Sequence, residues 1–290
     1  MSGSAQLAEY LQACRARLRP EDVGLHTYGE RRRVPGLRRE EVAGLAGVSA
    51  SYYVRLEQGQ SLNASNEVID GIARALRLDP DEHEHLRTLT RPRRSRPAPP
   101  PPAERVAPAT AQILATLAHV PALLLGRRSD VLAWNALGHA LFAGHLDPEA
   151  PDRPGERPNM ARLVFLDPHT RELYPRWKAK AHAVVGHLRL TAGRYPEDRE
   201  LSTLVGELVT RSPEFASMWA DHRVRACDST EHLMRHPHVG DLVVNQQTLL
   251  LTHAPDQRLT VVTTETGSAS QAALSLLART VADQGAYWRR

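Results

Sequence analysis

Apolar residues at Leu7, Leu11, Cys14 and Leu18 recur every three to four positions, so the chain opens on an amphipathic helix. Similar periodicity predicts helices over Arg38 to Ala46, Ser49 to Gln58 and Asn66 to Leu76. A fifth starts at Asp79-Pro80-Asp81-Glu82, which combines an N-cap aspartate, proline at the first helical position and glutamate three residues on. Gly47 supplies the left-handed residue that ends the second helix, and Gly59 closes the third. Five short helices within about 90 residues predict a compact all-α domain.

Every period breaks at Arg91-Pro-Arg-Arg-Ser-Arg-Pro-Ala-Pro-Pro-Pro-Pro102, because proline lacks the amide hydrogen that helices and sheet ladders use. Residues 91–105 are therefore expected to be a Pro/Arg-rich linker, reaching up to roughly 45 Å in a polyproline II conformation. Its arginines either touch phosphates or are simply solvated. Beyond it the pattern is mixed. Leu123 to Gly126 and Val131 to Trp134 read as a hairpin. Helices are expected over Glu172 to Ala192, Glu197 to Arg211 and Pro213 to His222. Strands follow at His232 to His236, Val239 to Asn245, Thr248 to His253 and Leu259 to Glu265, with Ala254-Pro-Asp-Gln257 as the last turn and a closing helix over Ser268 to Asp283. The expected organisation is thus an all-α domain at 1–90 and an α+β domain at 106–290.

Val106 to Gly126 carries no formal charge over a length that could span a bilayer, but Pro108, His119 and Pro121 fit a short helix running into a strand, so no membrane partner is expected. The net charge of +4 says little. Its distribution says more: residues 1–97 hold 16 arginines against 13 acids, with runs at Arg31 to Arg33 and at Arg38 and Arg39, whereas 106–290 is balanced. Only the N-terminal part looks like a polyanion binder. Cys14 and Cys227 lie too far apart in sequence to suggest a disulfide scaffold, and no signal peptide opens the chain, so a reducing cytoplasm is expected. The chain carries no phosphate-binding glycine loop, zinc-protease motif, nucleophile elbow or dinucleotide fingerprint, so no catalytic residue and no enzymatic role is expected. His232, His236 and His238 cluster, yet no cysteine or carboxylate completes a set, so neither a metal nor a cofactor is expected.

The sharpest signal is Leu37-Arg-Arg-Glu-Glu-Val-Ala-Gly-Leu-Ala-Gly-Val-Ser-Ala-Ser-Tyr-Tyr-Val-Arg-Leu-Glu-Gln-Gly59, which spells helix, tight turn, helix. Ser49 caps the second helix of the pair, Tyr53 and Leu56 face the core, and Ala50, Ser51, Tyr52 and Arg55 point outward. Such a helix fits the major groove, with Arg38 and Arg39 on phosphates and Ser51, Tyr52 and Arg55 at base edges. The alternative is a solvated face on which Arg55 pairs with Glu57 or Glu41, with Tyr52 partly in the core. Residues 5 to 90 resemble the Cro/λ-repressor class of helix-turn-helix domains, the xenobiotic-response-element (XRE) type. The resemblance implies double-stranded operator DNA as partner, and a bacterial, nucleoid-associated protein. Where that family often has glutamine, this chain has Arg39, which replaces a brace on the recognition helix by a phosphate contact.

The remainder, over 106 to 283, resembles the MmyB-like ligand-binding domain, a PAS-like fold of antiparallel sheet and flanking helices. Its residues are Val131-Leu-Ala-Trp-Asn135, Arg162-Leu-Val-Phe-Leu-Asp-Pro168, Glu172-Leu-Tyr-Pro-Arg-Trp177, Arg211-Ser-Pro-Glu-Phe215 with Trp219 and His222, and His236-Pro-His-Val-Gly240. The resemblance implies a pocket for a fatty-acid-like or other apolar small molecule. Phe215, Met218, Trp219 and His222 form one helix face that is first of all a core stripe. If part of it lines a cavity, Trp134, Phe142, Phe165, Trp177, Phe215 and Trp219 supply apolar walls, with Arg162, Arg211 or His222 for an acid head group. Because one recognition helix reads few base pairs, a homodimer is expected. The rival reading is a phage-type or antitoxin-like repressor whose second domain is an interaction module without a ligand.

Overall fold

The computed structural model describes residues 3–25, 36–60, 64–90, 104–221 and 229–287. The Arg31 to Arg33 run, most of the 91–105 segment, His222 and Cys227 lie outside them. The described residues pack into two compact units. The first takes in 1–101 with 189–209 and 216–226, the second 102–188 with 210–215 and 227–290.

The first unit is built on α1 (Gly3–Arg17), α2 (Arg39–Ala46), α3 (Ala50–Glu57), α4 (Asn66–Ala75) and α5 (Pro80–Thr90). Leu7, Leu11 and Cys14 are buried as the spacing predicts, in one core with Tyr53, Leu56, Ile69, Ile72 and Leu86. The start of α5 is held as its sequence foretells: Glu82 N donates to Asp79 Oδ1 at 2.8 Å and Asp79 N to Glu82 Oε2 at 3.2 Å. Gly71 brings α4 against α2, since a Cβ there would lie 2.6 Å from Ala46 O.

Glu57, at the end of α3, is fully buried. Its carboxylate is clamped from two directions. Arg15 Nη2 on α1 donates to Oε1 at 2.9 Å, and Arg39 Nε on α2 to Oε2 at 3.2 Å. Arg15 also donates through Nη1 to Leu37 O at 2.7 Å, which ties the segment entering α2. A buried carboxylate is tolerated only when paired and hydrogen-bonded. Replacing it should therefore cost more than a surface pair would. Glu57→Gln should lower the stability of this unit by about 2–3 kcal/mol, somewhat below the loss for a wholly buried pair because both guanidinium groups keep contact with water. A urea midpoint unchanged from that of the parent protein would show that the clamp is not a stabilising element.

The second unit carries a five-stranded sheet of order β2-β1-β5-β4-β3, antiparallel throughout, from β1 (Ala122–Leu125), β2 (Val131–Trp134), β3 (Ser229–His236), β4 (Gly240–Leu251) and β5 (Ala254–Thr263). Helices flank it: α6 (Pro108–Thr116), α7 (Ala136–Ala143), α8 (Met160–Leu166), α9 (Pro168–Leu173) and α13 (Ala269–Tyr287). Three more helices, α10 (Trp177–Arg194), α11 (Arg199–Arg211) and α12 (Pro213–Ala220), contribute residues to both units. The uncharged stretch is a helix followed by a strand, α6 and β1. No described helix is long and apolar enough to cross a membrane.

Three expected boundaries differ. The helix expected from Glu172 is interrupted at Tyr174 to Arg176, between α9 and α10, where Pro175 has no amide hydrogen to continue the first helix. The two strands expected over 239–253 are one long strand, β4, which pairs with β3 along its first half and β5 along its second. The last hairpin turns at Thr252 and His253, and Ala254 to Gln257 belong to β5. Pro255 is accommodated there because the β4–β5 register is irregular between Leu250 and Leu251, so its missing donor breaks no regular ladder bond.

Asn135 joins β2 to α7 and organises the sheet edge. Its Oδ1 accepts from Gly138 N at 2.7 Å, capping α7, and from Ala122 N at 3.1 Å on β1. Its Nδ2 donates to Leu117 O at 2.7 Å and Val120 O at 2.8 Å, fixing the turn that leads from α6 to β1. Asn135→Asp keeps the two acceptor contacts and removes both donors, leaving two carbonyls facing a carboxylate. It should destabilise this unit by about 2 kcal/mol or more, read from the urea midpoint; a smaller loss than for Asn135→Ala would mean the capping oxygen dominates.

Candidate functional site

The turn between α2 and α3 has the geometry that its sequence implies. Gly47 sits at φ +71°, its N–H reaches Gly44 O at 3.3 Å, and Val48 N bonds to Ala43 O at 3.0 Å, closing α2. Ser49 then caps α3, its Oγ accepting from Tyr52 N at 3.2 Å and lying 3.2 Å from Ser51 Oγ. Tyr53 and Leu56 are fully buried and hold α3 to the core. Ser49, Ala50, Ser51 and Arg55 are exposed, and Tyr52 is half-buried.

The five side chains expected at base edges or phosphates thus divide by environment. Arg55 forms no ion pair among the described residues: Glu57 is taken by Arg15 and Arg39, and Glu41 accepts from Arg38 N at 2.6 Å. Arg39 has a second engagement that the sequence did not disclose. Its Nε and Nη2 point to Glu57, at 3.2 and 3.4 Å, so it braces the recognition helix after all, and the expectation that the brace is lost is corrected. Its side chain nonetheless stays 42% exposed, so one edge of the guanidinium faces outward. Arg15, whose spacing marks it only as the polar side of α1, completes this arrangement; nothing local in the sequence signals a partner 42 residues away.

In the second unit the expected apolar walls are dispersed. Phe165, Trp177 and Phe215 do meet. The Phe165 ring lies edge-on to Trp177 at 5.4 Å and to Phe215 at 4.9 Å, Arg171 stacks over Trp177 at 4.1 Å, and Trp177 Nε1 donates to Val164 O at 2.6 Å. These contacts make a packed aromatic core. Trp134 lies elsewhere, against Val131, Met160 and Leu163, with Nε1 donating to Pro148 O at 2.8 Å. Phe142 is buried in α7. Trp219 falls in the first unit, where the guanidinium of buried Arg189 covers its ring at 4.6 Å and donates to its carbonyl; burial pushes the Arg189 pKa down to about 10. Arg162 and Arg211 are exposed. His222 lies outside the described residues, so the expected stripe on α12 is seen only as far as Trp219.

The histidines mark two different places. His236 and His238, with His145, His169, Ala140, Gly144 and Pro237, line a cleft of about 240 Å³. His236 is fixed there, with Nε2 3.0 Å from Ala140 O and Nδ1 accepting from His238 N at 3.3 Å. The cleft is smaller than the roughly 300–1,000 Å³ of ordinary small-molecule sites. No described group of three or more His, Cys, Asp or Glu is arranged to hold a metal ion. His232 stands apart, buried behind α10, with its pKa pushed down to about 4 by burial and by the Lys180 ammonium. His187 on the same helix is likewise held well below the usual imidazole range by burial, then by Arg258; its Nε2 is 2.8 Å from Arg127 O. Both imidazoles are therefore neutral near pH 7.

Two comparisons with known families fit this geometry. A helix-turn-helix domain profile matches residues 6–86, which includes all of α2 and α3. The profile of the MmyB-like transcription regulator ligand binding domain matches residues 106–277, covering the sheet and α13 as far as Leu277. Among curated proteins, none matches the chain. One profile describes a helix-turn-helix domain and the other the ligand binding domain of a transcription regulator. With a capped, braced recognition helix in the first and an antiparallel sheet with flanking helices in the second, the chain belongs to the MmyB-like family of ligand-responsive, helix-turn-helix transcription regulators.

Proposed function

We propose that this regulator reads operator DNA as a homodimer through Ser49, Ala50, Ser51, Tyr52 and Arg55, positioned by phosphate contacts from Arg38 and Arg39. The second domain senses an apolar small molecule of the fatty-acid type. The domains run over 1–90 and 106–290, with 91–105 as the arm between them, and the protein acts on the nucleoid in the bacterial cytoplasm. The carrying observation is Arg55: an exposed guanidinium without an ion pair among the described residues, on a helix whose start and end are both fixed. Its planar fork suits guanine O6 and N7. Two copies of α3 about one helical turn of DNA apart supply the length of site that one helix lacks.

Arg55→Ala should weaken operator binding by about 1–3 kcal/mol and relax preference at one base pair. Arg38→Ala should instead weaken binding to all sequences alike and flatten the salt slope by about one. Arg39 is unsuited to this comparison, because its loss also unclamps Glu57. Fluorescence-anisotropy titrations on the operator and on single-base variants, at several salt concentrations, separate the two effects. Equal, sequence-independent losses would remove Arg55 as a base reader.

The sensor half is tested by native mass spectrometry of protein purified from cells, followed by denaturation and identification of what is released. A dimer carrying an apolar acid is the expected result. The well-packed Phe165–Trp177–Phe215 core favours the second reading, an interaction module without a small ligand. An empty dimer whose operator affinity ignores added apolar acids would select that reading and leave the DNA assignment intact.

A further inference from the structure

Four imidazoles converge on the cleft of the second unit from different parts of the fold. His145 lies just beyond α7, His169 on α9, His236 at the end of β3 and His238 in the turn to β4. The rings are close: His145 and His169 stack at 4.1 Å between centroids, and His236 and His238 stand at 5.7 Å. His238 is exposed, His169 half-buried and His236 buried, so solvent reaches the group from one side. His236 is its fixed point. Because Nδ1 of that ring accepts from His238 N at 3.3 Å, Nε2 carries the proton, which it donates to Ala140 O at 3.0 Å. Only the neutral Nε2–H tautomer makes both bonds. A second proton would turn Nδ1 into a donor facing the His238 N–H, and the turn would lose that bond.

We propose that this cleft is an acid-operated latch, in which proton uptake releases the β3–β4 turn from α7 and α9. Helix α9 packs against both α7 and β3, so the cleft lies where the three elements meet. Charge compensation is available on one side only. At the start of α9, Asp167 Oδ2 lies 3.4 Å from His145 Nε2, and Glu172 and Asp167 both act on His169. That Asp167 oxygen is already engaged, accepting from Thr170 N at 2.8 Å and Thr170 Oγ1 at 2.6 Å. The charges acting on His236 are those of His238 and His169, while Arg235 and Asp241 beside them pair with each other at 3.1 Å. On α7, His139 is engaged with the Trp134 ring and Leu146 O, and Ala140 offers only its carbonyl. Acid therefore sets like charges face to face across the cleft. Burial, then His145, holds the His169 pKa below the ordinary imidazole value of 6.5. Burial does the same for His236, against the pull of Ala140 O and with the help of His238 and His169. A closed cleft with depressed imidazole pKa values binds fewer protons than an open one, so closure is fully favoured above pH 6.5 and is lost as the pH falls below it.

The test uses the full-length protein, with NMR titration of histidine Cε1–H and backbone amide signals and with hydrogen exchange corrected for its intrinsic pH dependence. Between about pH 7.5 and about pH 5 the His238 amide should shift in step with the His236 ring. Protection of the β3–β4 hairpin amides should fall about tenfold over the same range. His236→Gln keeps a donor for Ala140 O but takes up no proton, so both acid responses should vanish. His169→Gln removes one like charge and should move the His236 titration to higher pH. A His238 amide that ignores acid, or a loss of protection that persists in His236→Gln, would overturn the latch. So would an unchanged His236 titration in His169→Gln, because the imidazoles would then not act on one another. If His236→Gln is already open at neutral pH, the His169→Gln titration decides alone.

Discussion

The helix-turn-helix depends on one buried carboxylate. Glu57 sits at the last turn of α3, so what holds it holds the orientation of the whole recognition helix. Arg15 reaches it from α1 and Arg39 from α2, and the same Arg15 fixes Leu37 O ahead of α2. Three helices and one connection therefore share this polar node. Apolar packing is not directional, and Tyr53 and Leu56 alone would tolerate small rotations of α3. The carboxylate does not, because rotation would leave a buried charge without its partners. The clamp extends to the exposed Arg55, which is two residues before Glu57 on the same helix.

The second domain uses the same device with neutral groups. Asn135 and Asn159 each start a helix while donating backward to carbonyls of the preceding segments: Asn135 to Leu117 and Val120, Asn159 to Arg128 O at 2.9 Å. Each side chain thus spends its acceptor on a cap and its donor on a distant turn. The consequence is a sheet whose β1–β2 edge is tied to α6, α7 and α8 by side chains as well as by its ladder. Packing of α13 follows the same logic, with Ser270 Oγ accepting from Val243 N on β4 where β5 no longer pairs.

How legible this was from sequence depends on range. Ser49, Gly47 and the Asp79 to Glu82 box act within four residues, and the structure realises each. Pro175 and Pro255 were equally visible, but their meaning was not. The first ends a helix that the apolar period carries across it, whereas the second, normally a turn signal, sits where the β4–β5 register slips. The clamp on Glu57 spans 42 residues to Arg15 and 18 to Arg39, and no periodicity reports such a pairing. The aromatic residues show the converse. Phe165, Trp177 and Phe215 were chosen for bulk and apolarity, which are the properties of a core as much as of a pocket, and the structure packs them edge to face. Tyr174, one residue beyond α9, drew attention only as part of a family motif, because a buried hydroxyl without a partner can be seen only once its surroundings are known.

That contrast also decides where a ligand can act as a signal. Inserting a molecule among the Phe165, Trp177 and Phe215 rings would break contacts that already satisfy one another, including the Trp177 Nε1 bond to Val164 O. Such a ligand would have to repay its own disruption before stabilising anything. A ligand shifts an equilibrium only by its difference in affinity for two states. The largest difference is available where one arrangement leaves polar groups unmet and the other completes them.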